Sequence, residues 1–464
     1  MGRRERVVFF VLASLVVLRV FRVDVAAMAL NDTITYLFHS RDLLGRGFIQ
    51  QGYRQVGYPL FLRGTSIVGH GIGLDGIFFA ALVQRCLLIA GVILLFLRLR
   101  WVAFPVALAV TFPGLVAVTN LLITEGLSFP LSLLFAVSLI FALQALADEA
   151  PRNIWRARFI VSSPFFLFLA LTLIKAQFAA FSLILVAMTW MALRQRHVTR
   201  RLVAAGLVGS GALSAALFFA MARENKAEIG VFTPVGEGAR AEWYGAYQAI
   251  FNVRPENQRR PELSEFYARG NLYTFMHGLE RSEKDYLARV PLFRARVDTM
   301  FAAAHESKTA EKIRSSLAIL IGGRTDDIAR VIRNQVVLGR DASRSYSTMY
   351  TRQHGMDRFF DEFNRGVRPS TISLRPVLGR GFLRGYRWAQ SVVSLGAVIV
   401  LLIACWVGKQ RLLSAAALAS LALVSAGLGM YFLDNWRYTI GGFVITSVIA
   451  SAAISSFKTQ DPHF

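Results

Sequence analysis

Apolar stretches about as long as a bilayer is thick recur along this 464-residue chain. A transmembrane helix needs roughly 18–20 such residues. Lipid offers the backbone no hydrogen-bond partners, so stretches that cross it must close their own bonds as helices. Spans are predicted near residues 7–23, 76–96, 101–119, 125–146, 158–174, 176–193, 202–222, 386–407, 412–432 and 439–457. The fold class that follows is all-α: a polytopic integral membrane bundle of about ten transmembrane helices, with a mainly helical extracytoplasmic region. Composition agrees, since only 17% of residues are charged, against roughly a quarter in soluble domains.

The formal net charge of +23 raises the question of a nucleic-acid partner. Its placement answers against one, because the positive residues gather in short clusters between spans. They stand at Arg3, Arg4 and Arg6; Arg98 and Arg100; Arg152, Arg156 and Arg158; Arg194, Arg196, Arg200 and Arg201; Lys409 and Arg411. With a cytoplasmic N-terminus, all of them fall on the cytoplasmic side, as the excess of Lys and Arg in cytoplasmic loops requires. The predicted location is a plasma (inner) membrane, crossed many times. Arginine outnumbers lysine heavily, which fits a GC-rich bacterial genome. The first span has the basic start of a signal peptide, with Ala27-Met28-Ala29 as a cleavage-like site; Arg19 and Arg22 argue for a retained helix. Cys86 and Cys405 both lie in spans and have neither metal-ligand nor disulfide spacing.

The chain divides into an N-terminal membrane module, 1–222, containing a first external loop at 24–75; an extracytoplasmic region, 223–383; and C-terminal membrane helices, 384–464. The large region is polar and Arg-rich. Its apolar runs, such as Leu317–Ile321, are too short to span. No internal repeat or low-complexity tract interrupts this organisation.

Residues with chemical potential collect on the predicted outer face. In the first loop, Asp32 precedes a semi-amphipathic stretch from Tyr36 to Leu44 that suits a helix lying on the membrane surface. A carboxylate at headgroup level can act as general base on an acceptor hydroxyl; Asp is equally a helix N-cap. Thr124-Glu125 opens the fourth span after a tight turn at 120–124. There Glu125 either meets substrate or simply complements the helix dipole. Lys175 sits between two apolar spans and is the only lysine before Lys226. Ionisable groups at such depth are costly and mark functional sites, and a phosphate is the natural partner; snorkelling to headgroups is the plainer role. Arg437, in the turn before the last span, can hold phosphate bidentately or anchor the helix end, while Trp436 and Tyr438 suit the interfacial belt. Arg85, inside the second span, faces the bundle interior, with Asp24 or Asp75 as candidate partners.

This order of motifs resembles the GT-C superfamily of membrane glycosyltransferases, which includes the lipid A aminoarabinose transferases and the protein O-mannosyltransferases. The resemblance covers roughly 1–222 and 384–464. It rests on Asp32 with Tyr36 four residues on, Tyr58-Pro59-Leu60, Thr124-Glu125 and Arg437-Tyr438. It departs where Thr439-Ile440-Gly441 stands in place of an early proline, and where the large region falls between the seventh and eighth spans. The resemblance implies inverting transfer of a sugar from a polyprenyl-phosphate carrier to a lipid- or glycan-linked acceptor hydroxyl of the cell envelope. Asp32 would be the base, with Glu125 as its catalytic partner positioning acceptor or donor. Tyr36, Arg54, Tyr58, Lys175, Arg437 and Tyr438 would contact substrate, the cations facing the lipid phosphate. It implies no required metal or other cofactor, although Asp32 and Glu125 offer the oxygen ligands that a divalent cation prefers.

Two other classes fit the same outline. An O-antigen-type polysaccharide polymerase or ligase would place its chemistry on loop arginines such as Arg365, Arg368, Arg375 and Arg380. A transporter or flippase of a lipid-linked substrate would show two-half symmetry and midplane charges; no such symmetry is visible.

Overall fold

The computed structural model describes residues 2–23, 25, 27–29, 36–37, 40, 55–74, 76–147, 154–194, 199–229, 232, 238–252, 254–267, 286–321, 336–337, 380–407, 410–432 and 436–458. Among these, helices dominate, and the one departure in regular structure is a two-residue antiparallel pairing of β1 (Met28–Ala29) with β2 (Val336–Val337). Eight of the described helices are long and apolar enough to cross a membrane.

The N-terminal helix α1 (Arg3–Leu18) continues into a 3₁₀ turn, Arg19–Arg22. Then come α2 (Gly57–Gly71), α3 (Gly76–Leu99), α4 (Phe104–Val110), α5 (Pro113–Val118), α6 (Thr124–Ala147) and α7 (Ile154–Ile174). A 3₁₀ segment, Ala176–Phe181, leads into α8 (Ser182–Arg194), followed by α9 (Thr199–Ile229). The polar region contributes α10 (Gly238–Tyr247), α11 (Tyr286–Ala303) and α12 (Lys308–Leu320). Three helices close the chain: α13 (Arg380–Val407), α14 (Arg411–Gly429) and α15 (Trp436–Lys458).

The apolar spans predicted from sequence coincide with α3, α6, α7, α8, α9, α13, α14 and α15 to within a turn or two. Helices α6 and α15 form the buried centre and α9 and α13 the periphery, so the peripheral helices keep apolar side chains such as Val208, Phe219, Leu402 and Ile403 outward.

Two elements differ from the reading of the sequence. The first loop contains a full helix, α2, which folds back along α3. Its Pro59 sits in the first turn, where a missing amide proton costs nothing. The stretch 101–119 is broken: the chain reverses at Arg100, whose φ is 51°, and α4 stops before Pro113 starts α5. This broken arm still runs the length of the bundle. At one end Trp101 Nε1 donates to the Glu5 carboxylate, 3.2 Å. At the other, Thr119 and Asn120 meet Arg85. Arg85 and Arg100 are fifteen helical positions apart, about 22 Å at the α-helical rise.

A second, smaller core lies in the polar region. Trp243, Phe251, Leu263, Val297, Met300 and Phe301 are buried together there, and Phe432, just past the end of α14, inserts among them. Arg260 donates to the carbonyls of Ala303 and Ala304 at the end of α11, 3.0 and 3.1 Å. The insertion of Phe432 seats the unit on one end of the bundle.

Candidate functional site

At that end of the bundle, four segments converge around a buried ion pair. Lys175 Nζ lies 2.8 Å from Glu125 Oε1, with the Glu125 side chain 1% and the Lys175 side chain 11% exposed. Glu125 occupies the first turn of α6, where the helix dipole favours a carboxylate. Its second oxygen accepts from Thr124 Oγ1, 3.0 Å. Lys175 is aimed by a break in the backbone: it is extended (φ −149°, ψ 117°) between the end of α7 and the 3₁₀ turn. Its amide proton closes α7 on Leu171 O, 2.8 Å.

The third segment is the start of α2. Gly57 packs so tightly on the end of α7 that an added Cβ would stand 2.6 Å from the Leu173 carbonyl carbon, so glycine is required there. The next residue, Tyr58, is thereby brought to the site. Its hydroxyl donates to Gln84 Oε1, 3.2 Å, and Gln84 Nε2 in turn donates to the carbonyls of Thr119 and Leu121, 2.8 and 3.2 Å. Gly126 completes the packing, since a Cβ there would fall 2.9 Å from Gln84 Nε2. Tyr36 stands edge-on to Tyr58, ring centroids 5.1 Å apart. The Tyr58 phenol is held well above its ordinary range, first by burial and then by Tyr36 and Glu125. It therefore serves as a neutral hydrogen-bonding group.

The fourth segment is the first turn of α15, which carries Arg437 and Tyr438. Gly441, one turn on, abuts the Phe178 ring of the Lys175 segment at 2.5 Å and Ser132 Oγ of α6 at 2.9 Å, measured from a built Cβ. The helix backbone is therefore fixed beside the ion pair; the side chains of Arg437 and Tyr438 lie outside the described residues.

Arg85 sits one helical position from Gln84 and reads as a clamp. Its guanidinium donates to Thr119 Oγ1 at 2.7 Å, to the Val20 and Val23 carbonyls at 2.9 and 2.7 Å, and to Asn120 Oδ1 at 2.9 Å. These partners bind α1, α3 and the turn before α6 together, a structural task. Asp24 and Asp75, its candidate partners, lie outside the described residues, as do Asp32 and Arg54 and the arginines Arg365, Arg368 and Arg375.

The structure thus brings together Tyr36, Tyr58, Glu125 and Lys175, with the backbone of the Arg437 turn. The sequence reading passed over Gln84. The signal was available: a glutamine in the middle of an apolar span needs a buried partner. Among the described residues no group of three His, Cys, Asp or Glu is placed to hold a metal. Asp32, the other oxygen ligand expected of a cation site with Glu125, lies outside the described residues. Comparison with family models, with curated proteins and with solved structures finds no match for this chain.

Proposed function

We propose that the protein is an inverting glycosyltransferase that moves a sugar from a polyprenyl-phosphate carrier to a cell-envelope acceptor hydroxyl. The observation that carries this reading is the buried Glu125–Lys175 pair at the convergence of α2, α6, α15 and the 3₁₀ turn. A lysine inside a bundle end is suited to receive an anionic headgroup. An ion pair is what such a receptor looks like before its ligand arrives: the carboxylate holds the ammonium in place, and a phosphate can replace it.

In this mechanism the donor phosphate takes Lys175 from Glu125. The freed carboxylate then orients the acceptor, with Tyr58 and Gln84 as fixed polar neighbours. Asp32 withdraws the proton of the acceptor hydroxyl, whose oxygen attacks the anomeric carbon from the face opposite the phosphate. One glycosidic C–O bond forms, the sugar–phosphate C–O bond breaks, and polyprenyl phosphate leaves with its charge stabilised by Lys175 and Arg437. Asp32 lies four residues before Tyr36, so the chain between them reaches at most about 14 Å. Tyr36 is itself in contact with Tyr58.

The same reading fixes a ten-span topology. The eight long helices are joined by α1 with its 3₁₀ turn, whose Val7, Phe10, Val11 and Leu18 point outward, and by the broken arm 101–118. On this reading the Arg100 end is cytoplasmic, in keeping with the Arg clusters, and the ion pair faces the outer side of a bacterial inner membrane.

The test is transfer of radiolabelled sugar from a panel of polyprenyl-phosphate sugars in proteoliposomes. Wild type transfers, and Asp32→Asn falls by about 10²–10⁴-fold, the usual contribution of a general base. Lys175→Met loses donor affinity, and Lys175→Arg retains part of it. Full activity in Asp32→Asn removes the base assignment, and no transfer by wild type from any donor in the panel removes the reading.

A further inference from the structure

Helix α12 belongs to the polar region by sequence, yet its two halves meet different surroundings. Its N-terminal half is tied to the polar unit. Ser307 caps it by accepting from Ala310 N, 3.2 Å, and Lys308 and Lys312 reach Glu242 on α10 at 3.1 and 3.5 Å. The helix then descends along α14. Lys312 Nζ lies 5.7 Å from the Phe432 ring centroid, beyond the end of α14. One turn further, Ser316 packs on Gly429, with its Cα 2.9 Å from where a Cβ on that glycine would stand. Ile319 is buried in the same apolar cluster as the membrane helices. The sequence follows suit, with no charged residue between Arg314 and Arg324.

The two faces of α12 are distinct. Glu311, Ser315 and Ile319, four apart, are buried. Ile313, Leu317 and Ile321, also four apart and offset by half a turn, are 58%, 58% and 48% exposed. A stripe of that size and composition is costly in water. Exposed apolar side chains also lie on the helices it packs against, Val392 and Leu395 on α13 and Leu423 on α14. Gly429 ends the membrane-crossing stretch of α14, so Ser316 stands at its boundary. Ile321 lies five residues deeper, about 8 Å at the helical rise, which matches the roughly 5–10 Å burial of interfacial helices.

We infer that α12 is a membrane-dipping helix: its last two turns enter the leaflet at the Lys175 end and present Leu317 and Ile321 to lipid acyl chains, with Ile313 at headgroup level. The polar unit is thereby anchored in the bilayer by its own helix as well as by its covalent connections. This stands apart from the sugar-transfer reading and needs no catalysis to test.

The experiment is nitroxide labelling of single cysteines in the full chain, with Cys86→Ala and Cys405→Ala as background, reconstituted into liposomes. Power saturation compares accessibility to oxygen, which concentrates in lipid, with accessibility to a water-soluble nickel chelate. Leu423→Cys supplies the lipid reference and Ser264→Cys, exposed on the polar unit, the aqueous one. Ile321→Cys is expected to match Leu423→Cys, with an oxygen-to-nickel ratio several-fold above that of Ser264→Cys, and Leu317→Cys, nearer the boundary, to fall between the two references. A ratio equal to that of Ser264→Cys places the stripe in water and overturns the inference. Shielding from both reagents overturns it too, showing that protein, such as a second copy of this chain, covers the stripe. Should one of these variants fail to fold, the other, one turn away on the same face, decides the outcome.

Discussion

A lysine and a glutamate buried together inside a membrane bundle are each poor solutes there, and each is tolerated because of the other. Glu125 is almost fully enclosed and Lys175 nearly so. Removing one leaves an uncompensated charge, which costs about 3–5 kcal/mol in buried sites. Replacing both by apolar groups of similar size removes the desolvation cost along with the attraction. Glu125→Leu alone or Lys175→Met alone is therefore expected to lower unfolding stability by about 3–5 kcal/mol, while the two combined return it near or above wild type. Unfolding of the purified variants in micelles, followed by intrinsic fluorescence, measures all four corners of the cycle. Additive losses in the double variant would mean that the pair does not interact. At this scale the sequence was informative about type more than partnership. Lys175 stood out as an isolated lysine at a span boundary and Glu125 as an acid opening a helix. Their contact joins residues fifty positions apart, which no local pattern encodes. Gln84 and Tyr58 meet for the same reason, through the packing of Gly57 and Gly126.

Among the elements, periodic and compositional signals worked where a helix is long and uniformly apolar. They failed where local conformation interrupts it. Helix α2 escaped because glycines at 57, 64, 69 and 71 dilute its apolar face and Pro59 imitates a loop. The stretch 101–119 read as one span because hydropathy does not register the sign of a φ angle or the break before Pro113. The reversal at Arg100 carries its own consequence. A non-glycine residue in the left-handed region is strained by roughly 1–2 kcal/mol, and β-branched residues tolerate it least. Arg100→Gly is expected to hold or raise unfolding stability, by up to about 1 kcal/mol, and Arg100→Val to lower it by a similar amount. Matched thermal unfolding curves of the two variants decide this. A valine variant as stable as the glycine one would mean that the chain does not turn there through positive φ.

For the whole molecule, a basic polar unit sits on an apolar bundle through Phe432 and α12, and ion pairs tie α12 to the rest of the unit. Lys308 is the most connected of those ties, bonded to Asp298 at 2.7 Å and to Glu242 at 3.1 Å. Burial lowers its pKa, and the bonds and charges of Asp298 and Glu242 more than offset that, leaving it above the ordinary lysine value of 10.5. The folded chain therefore keeps this proton at a pH where the unfolded chain has lost it. Stabilisation from Lys308 is complete below about pH 10.5 and is lost as pH rises through the higher folded value. Asp298 is largely exposed, so solvent and salt weaken its share. Amide hydrogen exchange across α10, α11 and α12 is expected to show protection that falls above pH 10.5, after correction for the intrinsic rate, and to fall less in Lys308→Met. Helix α9, at the periphery of the bundle, serves as the internal reference. If protection in Lys308→Met tracks wild type across that range, the junction is held by its apolar contacts alone, and Phe432 with the buried face of α12 carries the attachment.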